Sequence, residues 1–563
     1  MYQDEFKRWF MHENLDNDLK EEMNHMSEDQ KQDAFYTNVE FGTAGMRGLL
    51  GAGTNRINVH TIAKANTGFA RYIEQAGEKA KHRGVAIAYD NRHMSKEFAL
   101  VCAQVLAKHG ITSYVFTSLR ATPELSFAVR HLDCFGGIVI TASHNPKEYN
   151  GYKLYDEKGC QLIPSLAEKV INEVLAIQDE LKINWQVDKQ QEACIHYIDE
   201  EVDEAYYQKV LAIQMQTTID KKDVKIVFTP QHGTANVPVQ EVFKRSGYHY
   251  IPVQEQCSAD PNFTNTLTPN PEEAASYELA IAYAKKEQAD IVLSCDPDAD
   301  RMGVVVSHEG NYHLLTGNQS AAILVEYILS QHIKNDTMPA HPVMFNTVVT
   351  GDLGEMIARH YQVDVEKTLT GFKFIGEKIA KYEKTKEKQY VFGYEESYGS
   401  LVAPFVRDKD AVQACLMLAE ASAYYKKQGK TLYDVLIDLY QQHGFYEETQ
   451  VAIFLQGKEG AEKIASIMSQ LREAKPAVIA DYQVVCWEDY KTLTKFDKTK
   501  GVLEGFVKSN VLKFYLEEGS WIAIRPSGTE PKCKFYYCVK GNSLADAHEK
   551  ANQMKKYMEK YTN

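Results

Sequence analysis

The chain has 563 residues, 44% of them apolar and 25% charged, with a formal net charge of −14. That balance is ordinary for a globular protein and argues against a general binder of nucleic acid or of an anionic membrane surface; an anionic ligand has to meet a local cluster of cations and backbone N–H groups. At roughly 100–200 residues per domain the length implies about three to five domains. Residues 1–20 are charged and lack the apolar stretch of a secretion signal, no run is long enough to span a bilayer, and the ten cysteines contain no CxxC pair, so a cytoplasmic protein with reduced thiols is expected.

Residues 1–38 read as a polar, helical N-terminal arm. Phe41–Gly48 follows, with Gly42, Gly45 and Gly48 around Arg47; glycines at this density let backbone approach a ligand, although a plain glycine turn has the same composition. A strand–loop–helix–strand pattern then occurs three times: 85–89, 90–95, 96–109 and 112–116; 224–228, 229–235, 237–245 and 248–253; 343–345, 346–351, 352–360 and 363–367. Such units predict parallel strands covered by helices, and three of them suggest three similar α/β domains. Between the first two, the apolar run Gly137–Ile140 leads into Thr-Ala-Ser-His-Asn-Pro-Lys-Glu-Tyr-Asn-Gly-Tyr-Lys at 141–153. A strand is expected to deliver Ser143 to a loop that Pro146 and Asn150-Gly151 punctuate with turns. The polar stretch 180–204 reads as a junction between the first two domains, and 381–388 as a charged surface stretch. In the tail, strands are expected over 521–525 and 532–539, ahead of an amphipathic helix over 543–561 that aligns Leu544, Ala547, Ala551, Met554, Met558 and Tyr561.

Four loops carry chemistry. Ser143, beside His144 and ahead of Lys153, suits a nucleophile and equally an ordinary polar loop. Asp296-Pro-Asp-Ala-Asp-Arg301 follows the apolar run 291–293. Three carboxylates at alternate positions repel one another unless a cation compensates, and Mg²⁺ accepts a few carboxylates together with a phosphate oxygen. An EF-hand is excluded, because its glycine at position six and glutamate at position twelve are here Arg301 and Ser307; a haloacid-dehalogenase-type Asp-x-Asp loop fits at Asp296 and Asp298 but not at Asp300. In Phe392–Ser400, Glu395 and Ser397 suit a grip on adjacent sugar hydroxyls, or an exposed acidic loop. Arg525-Pro-Ser-Gly-Thr-Glu-Pro-Lys532 combines a guanidinium fork with Ser527, Thr529 and the amides around Gly528, as an anion nest or a plain hairpin loop; no Walker loop occurs. Arg407–Asp410 adds charge near the sugar grip or forms a solvated helix start, and His232 reads as a polar loop residue.

Taken together, Thr141–Pro146, Asp296–Arg301, Gly393–Ser397 and Arg525–Pro531 resemble, in order and across nearly the whole chain, the phosphoserine, metal, sugar and phosphate loops of the α-D-phosphohexomutase family, and within it the longer phosphoglucomutases. The resemblance implies an α/β fold: three similar mixed-sheet α/β domains plus a smaller C-terminal α+β domain around a central cleft, divided as 1–200, 201–310, 311–450 and 451–563. It implies that Ser143 carries a phosphoryl group and that Asp296, Asp298 and Asp300, with the Ser143 phosphate, bind one Mg²⁺. Lys153 matches the family's general acid/base, which needs a pKa lowered by burial or neighbouring cations; Arg47 and His144 match residues beside the reacting group. Arg301, Thr370, Gly371, Glu395, Ser397 and Lys409 match sugar and phosphate contacts, and Arg525, Ser527, Gly528 and Thr529 the site of the non-reacting phosphate. The implied reaction interconverts glucose 1-phosphate and glucose 6-phosphate through glucose 1,6-bisphosphate, in a monomer or homodimer whose partners are small sugar phosphates rather than nucleic acid or membrane. Pro297 and Ala299 stand where many relatives have glycine, and Tyr394 and Tyr398 flank the sugar loop as in a branch that includes phosphopentomutases, so mannose and pentose phosphates are alternative substrates. An aspartate-nucleophile phosphatase and a non-catalytic phosphosugar binder are alternatives of other classes.

Overall fold

The computed structural model describes residues 2–42, 45–455, 457–497, 499–527 and 532–562. Met1–Gly317 with Phe372–Thr431 forms one compact unit, and Asn318–Gly371 with Leu432–Asn563 a second.

The first unit opens with the expected arm, three helices over Tyr2–Phe10, Asn17–His25 and Glu28–Phe35. Ser27 and Gln30 form a capping box on the third, which fixes where it starts. Their apolar faces bury Trp9, Met23 and Phe35, with Leu15 from the turn between the first two, in a small core shared with Leu181. The Trp9 indole donates to Glu180 Oε1 at 2.9 Å and Arg8 pairs with the same carboxylate.

Stretch 180–204 is therefore no bare junction. It also supplies the strand Ile195–Ile198, which pairs in parallel with Ser113–Phe116 and completes a seven-stranded sheet. That sheet runs Phe41–Gly42, Gly45–Leu49, Tyr149–Asp156, Gly136–Ile140, Val85–Tyr89, Ser113–Phe116, Ile195–Ile198. Val85–Tyr89 and Gly136–Ile140 are buried at every position, as parallel strands between helical layers must be.

A second sheet of this unit runs Asn311–Leu314, Met302–His308, Ile291–Cys295, Lys225–Thr229, His249–Pro252. Its three central and edge strands from Ile291 to Pro252 are parallel, as the strand–helix–strand pattern predicts, and the other two are antiparallel. The expected break at 310/311 falls in the hairpin between two of these paired strands. The unit ends with the antiparallel pair Gln389–Tyr394 and Ser400–Leu401 and the buried helix Ala411–Lys426.

In the second unit, Pro342–Thr347 pairs in parallel with Asp364–Thr368, with the helix Leu353–His360 between them in sequence. The C-terminal sheet runs Phe445–Phe454, Lys532–Gly541, Trp521–Pro526, Leu512–Leu516, Tyr482–Asp489, Thr494–Asp497, Thr499–Val502. Phe445–Phe454 pairs along its whole length with Lys532–Gly541, so the expected break at 450/451 falls inside a strand. The tail helix, Leu544–Met558 with Ser543 as its cap, buries Ala547, Ala551, Met554 and Met558 against this sheet, the face its spacing predicts. Among the described residues no helix is long and apolar enough to cross a membrane.

Candidate active site

Ser143 follows the buried strand Gly136–Ile140, as expected, and its backbone sits in the left-handed region at φ 53°. A non-glycine residue held there is strained, and such strain collects at functional loops. Thr141 Oγ1 accepts from the Ser143 amide at 2.8 Å. Arg92 ties the rest down: its guanidinium donates to the carbonyls of Ser143 (2.6 Å), Asn145 (2.5 Å), Pro146 (2.8 Å) and Tyr149 (3.0 Å), while Nε lies 3.2 Å from Asp90. Arg47 donates to Asn145 Oδ1 at 2.9 Å.

Asn150-Gly151, read from composition as a turn, lies within the strand Tyr149–Asp156. Gly151 is needed there for closeness rather than for turning: a Cβ would stand 2.6 Å from the Thr141 carbonyl oxygen and 2.7 Å from that of Met46. Asn150 spends its side chain on the His93 carbonyl and Ser95 Oγ.

The metal loop follows Ile291–Cys295, and Asp296, Asp298 and Asp300 in it are buried. Ligand atoms of Asp296, Asp298 and Asp300 lie within 4.8 Å of one another. Asp296 Oδ1 accepts the amides of Asp300 (3.1 Å) and Arg301 (3.0 Å), which curls the loop, and Ala299 takes φ 57° where glycine would be unstrained. The loop Thr229–Ala235 supports it from behind: Thr234 donates to the Pro297 carbonyl, and Gly233 leaves no room for a Cβ, which would meet Pro297 Cα at 2.4 Å. His232 is a polar loop residue here, its ring bonded to the Ser258 carbonyl.

Serine and carboxylates meet directly. Ser143 Oγ donates to Asp296 Oδ2 at 2.8 Å, with His144 Nδ1 at 3.3 Å. Lys153, buried on the neighbouring strand, donates to Asp298 Oδ2 at 2.8 Å and lies 3.8 Å from Asp300. Thr122 Oγ1 also donates to Asp298 Oδ2, at 2.9 Å. Lys409 Nζ stands 3.0 Å from Asp300 and 2.9 Å from Asp408, so Asp300 lies between two ammonium groups. Burial pushes the Asp296 carboxyl well above its usual range, and the charges of Asp298 and Asp300 add to this. Burial acts the same way on Asp298, but Lys153 outweighs it and holds that carboxyl well below the usual range.

The sugar loop leaves the strand Gln389–Tyr394 and touches the metal loop, since the Met302 amide donates to the Tyr398 carbonyl at 3.1 Å. Glu395 is buried, and Ser397 lies half-buried in the turn. Tyr398 turns its hydroxyl to the Leu315 carbonyl at 2.9 Å. Lys409 packs on Gly399, where a Cβ would strike its Cδ. Arg407–Asp410 is no solvated charge run: Arg407, Asp408 and Asp410 are all buried, Asp408 accepts from Tyr155 at 2.7 Å, and Asp410 caps the helix Ala411–Lys426. Arg301 pairs with Glu272 at 2.8 Å; burial opposes its charge, but Glu272, Asp300 and Asp296 hold the guanidinium above its ordinary range.

One buried site of the first unit thus gathers Ser143, His144, Lys153, Arg47, Asp296, Asp298, Asp300, Arg301, Glu395, Ser397 and Lys409. Thr370 and Gly371 belong to the second unit, as do Arg525, whose guanidinium donates to Tyr536 at 3.2 Å, and Ser527, whose amide donates to the Lys532 carbonyl at 2.7 Å. Gly528 and Thr529 lie outside the described residues. Arg92, Thr122, Glu272 and Tyr155 are supports that the sequence did not single out; Arg92 at least lies in the polar loop 90–95 that follows a predicted strand.

The triad suits a hard cation. Asp298 Oδ1 and Asp300 Oδ1 are buried and accept no hydrogen bond, and all donors are carboxylate oxygens, the set Mg²⁺ and its like prefer.

Comparison with known proteins agrees with this geometry. Four family models match in chain order: phosphoglucomutase/phosphomannomutase alpha/beta/alpha domain I over residues 38–181, domain II over 204–310, domain III over 316–443, and the C-terminal domain over 469–553. A phosphoglucomutase of Staphylococcus epidermidis is 37% identical over 523 residues, covering 92% of this chain and 94% of the relative. One of Staphylococcus aureus is 38% identical over 532 residues, covering 94% of each. Among solved structures, the fold is shared with a putative phosphomannomutase from Thermus thermophilus (TM-score 0.67, 21% identity, 92% of this chain and 99% of that one) and with the Paramecium phosphoprotein pp63/parafusin in its open form (TM-score 0.68, 17% identity, 93% and 94%). The chain belongs to the phosphoglucomutase/phosphomannomutase family, the α-D-phosphohexomutases.

Proposed function

We propose that this protein is a cytoplasmic phosphoglucomutase that interconverts glucose 1-phosphate and glucose 6-phosphate through glucose 1,6-bisphosphate, acting as a monomer or homodimer. The observation that carries the reading is the direct hydrogen bond from Ser143 Oγ to Asp296 inside a triad that also holds Lys153. The similarity to curated phosphoglucomutases over nearly the full length supports the same activity.

Ser143 Oγ carries the phosphoryl group and passes it to a free sugar hydroxyl: the Oγ–P bond breaks, a sugar O–P bond forms, and Lys153, entering this step as the neutral amine rather than as the ammonium that donates to Asp298, takes the proton of that hydroxyl. The second phosphate then returns to Ser143 as the bisphosphate reorients. Arg92 holds the serine loop still while this happens, Arg47 and His144 flank the reacting group, and Glu395, Ser397, Lys409, Arg301, Thr370 and Gly371 hold sugar and phosphate. Arg525, Ser527, Gly528 and Thr529 take the phosphate that does not react. Asp296, Asp298 and Asp300 would hold Mg²⁺, which when bound spreads the charge of the transferring phosphoryl group. A four-domain division fits the family, with the break that falls inside the strand Phe445–Phe454 moved to the loop ahead of it.

Glucose 1-phosphate incubated with the protein, Mg²⁺ and a trace of glucose 1,6-bisphosphate is expected to give glucose 6-phosphate, and intact-mass mapping to place an acid-stable phosphate on Ser143. A hydroxylamine-labile phosphate on Asp296 would instead mark a phosphatase. Larger kcat/KM values on mannose or pentose phosphates would keep the mechanism and change the sugar.

A further inference from the structure

The triad does not offer its oxygens evenly. Asp296 Oδ1 accepts the amides of Asp300 and Arg301, and its Oδ2 accepts from the Ser143 hydroxyl. Asp298 takes both of its side-chain bonds on one oxygen: Oδ2 accepts from Lys153 Nζ at 2.8 Å and from Thr122 Oγ1 at 2.9 Å, which leaves Oδ1 buried and without a partner. Asp298 and Thr122 are each 0% exposed, so bulk water does not compete for these bonds.

Other bonds fix the backbone around Asp298. Thr234 donates to the Pro297 carbonyl through its amide (2.8 Å) and its hydroxyl (3.0 Å), and the Thr122 amide donates to the Asp298 carbonyl at 2.9 Å. What stays open is the rotation of the carboxylate, a broad torsion with little preference of its own. The two donors that settle it differ. Lys153 reaches Asp298 on a flexible four-carbon stem and has a second task, at the sugar hydroxyl, in the reaction proposed above. Thr122 is β-branched and stiff at χ1, and it opens the helix Thr122–His131 just ahead of Pro123, whose ring fixes the backbone of the first turn. Its amide and its hydroxyl both serve Asp298.

We infer that Thr122 is a positioning residue of the active site: its hydroxyl holds Asp298 Oδ2, so that Oδ1 faces the cation whether or not Lys153 keeps its own bond to the carboxylate. Thr122 acts through Asp298 alone, as a donor that carries no charge. The inference rests on the reading of the triad as a cation site.

The test is titration of the metal-free full chain with Mn²⁺, followed by the electron paramagnetic resonance signal of the free ion. Thr122→Val removes the hydroxyl and keeps the amide bond to Asp298; it is expected to weaken Mn²⁺ binding about tenfold or more, the usual effect of losing a group that orients a metal ligand. Thr122→Ala carries the same expectation and sets no methyl against the carboxylate, so it serves if the valine variant does not fold. Thr122→Ser keeps the hydroxyl and is expected to bind Mn²⁺ within about twofold of the unmodified protein. At limiting Mg²⁺, kcat on glucose 1-phosphate is expected to fall in the valine and alanine variants while KM stays within about twofold, since other loops grip the sugar. Unchanged Mn²⁺ affinity without the hydroxyl, or a serine variant no better than valine or alanine, overturns the inference. An unmodified protein that binds no Mn²⁺ at millimolar concentration overturns the cation reading and the inference with it. One that binds Mn²⁺ without converting glucose 1-phosphate sinks only the mutase reading, and the Mn²⁺ titrations still decide on Thr122.

Discussion

Asp296→Asn probes the triad most directly. The replacement keeps the side chain's shape and an oxygen to accept the amides of Asp300 and Arg301, and it removes one charge. With ligand atoms within 4.8 Å of one another, each ionised pair repels by about 3.5 kcal/mol at an effective dielectric of about 20. Lys153, Lys409 and Arg301 offset part of this, and burial already disfavours the Asp296 charge. In chelator the variant should therefore melt no lower than the unmodified protein. A divalent cation at about a hundred times its Kd stabilises by about 2.7 kcal/mol, a rise of several degrees in Tm. The variant, with one carboxylate fewer to offer, should show less than half of that rise, and its turnover should fall by about two to three orders of magnitude. Differential scanning fluorimetry in EDTA and in Mg²⁺, beside a coupled assay for glucose 6-phosphate, measures all three. A variant that keeps the full metal-dependent rise, or that melts well below the parent in EDTA, refutes the view that this carboxylate is there for a cation.

Two further outcomes follow from named contacts. Burial pushes the Asp410 carboxyl from 3.8 up to about 6. Its neutral form is favoured in the fold, so its contribution, about 3 kcal/mol, is full below pH about 4 and is lost as the pH rises through about 6. Asp410→Asn keeps the helix cap and a partner for Tyr206, and should flatten that part of the pH profile of urea stability; an unchanged slope would exclude Asp410 as its source. Gly151→Ala would force a Cβ to within 2.6 Å of the Thr141 carbonyl oxygen and should cost about 1–3 kcal/mol while displacing the Ser143 loop, seen as a lower Tm and slower turnover; normal melting would show that the strands can part at no cost.

The legible parts were local ones. The three strand–helix–strand units could be read because buried parallel strands need continuous apolar runs and helices need a 3.6-residue stripe, and both repeat within a dozen residues. Asp296, Asp298 and Asp300 could be read as one group because a single tight turn brings alternate residues together. Asn150-Gly151 went the other way: the pair has the composition of a turn, but the backbones of Thr141 and Met46 on either side select the strand.

By itself, the sequence determined most of the strands and helices, the loops in which the candidate chemistry is grouped, and the family to which the chain belongs. The tertiary structure decided which of them meet. Arg92 reaches the Ser143 carbonyl across 51 residues, Thr122 reaches Asp298 across 176, and Tyr155 reaches Asp408 across 253. It also decided that Asp300 sits between Lys153 and Lys409, and that Arg407–Asp410 is buried rather than solvated. Periodicity and turn chemistry act over a few residues, whereas the state of a buried carboxylate depends on whichever cation the fold sets within a few ångströms of it, and no local pattern records that.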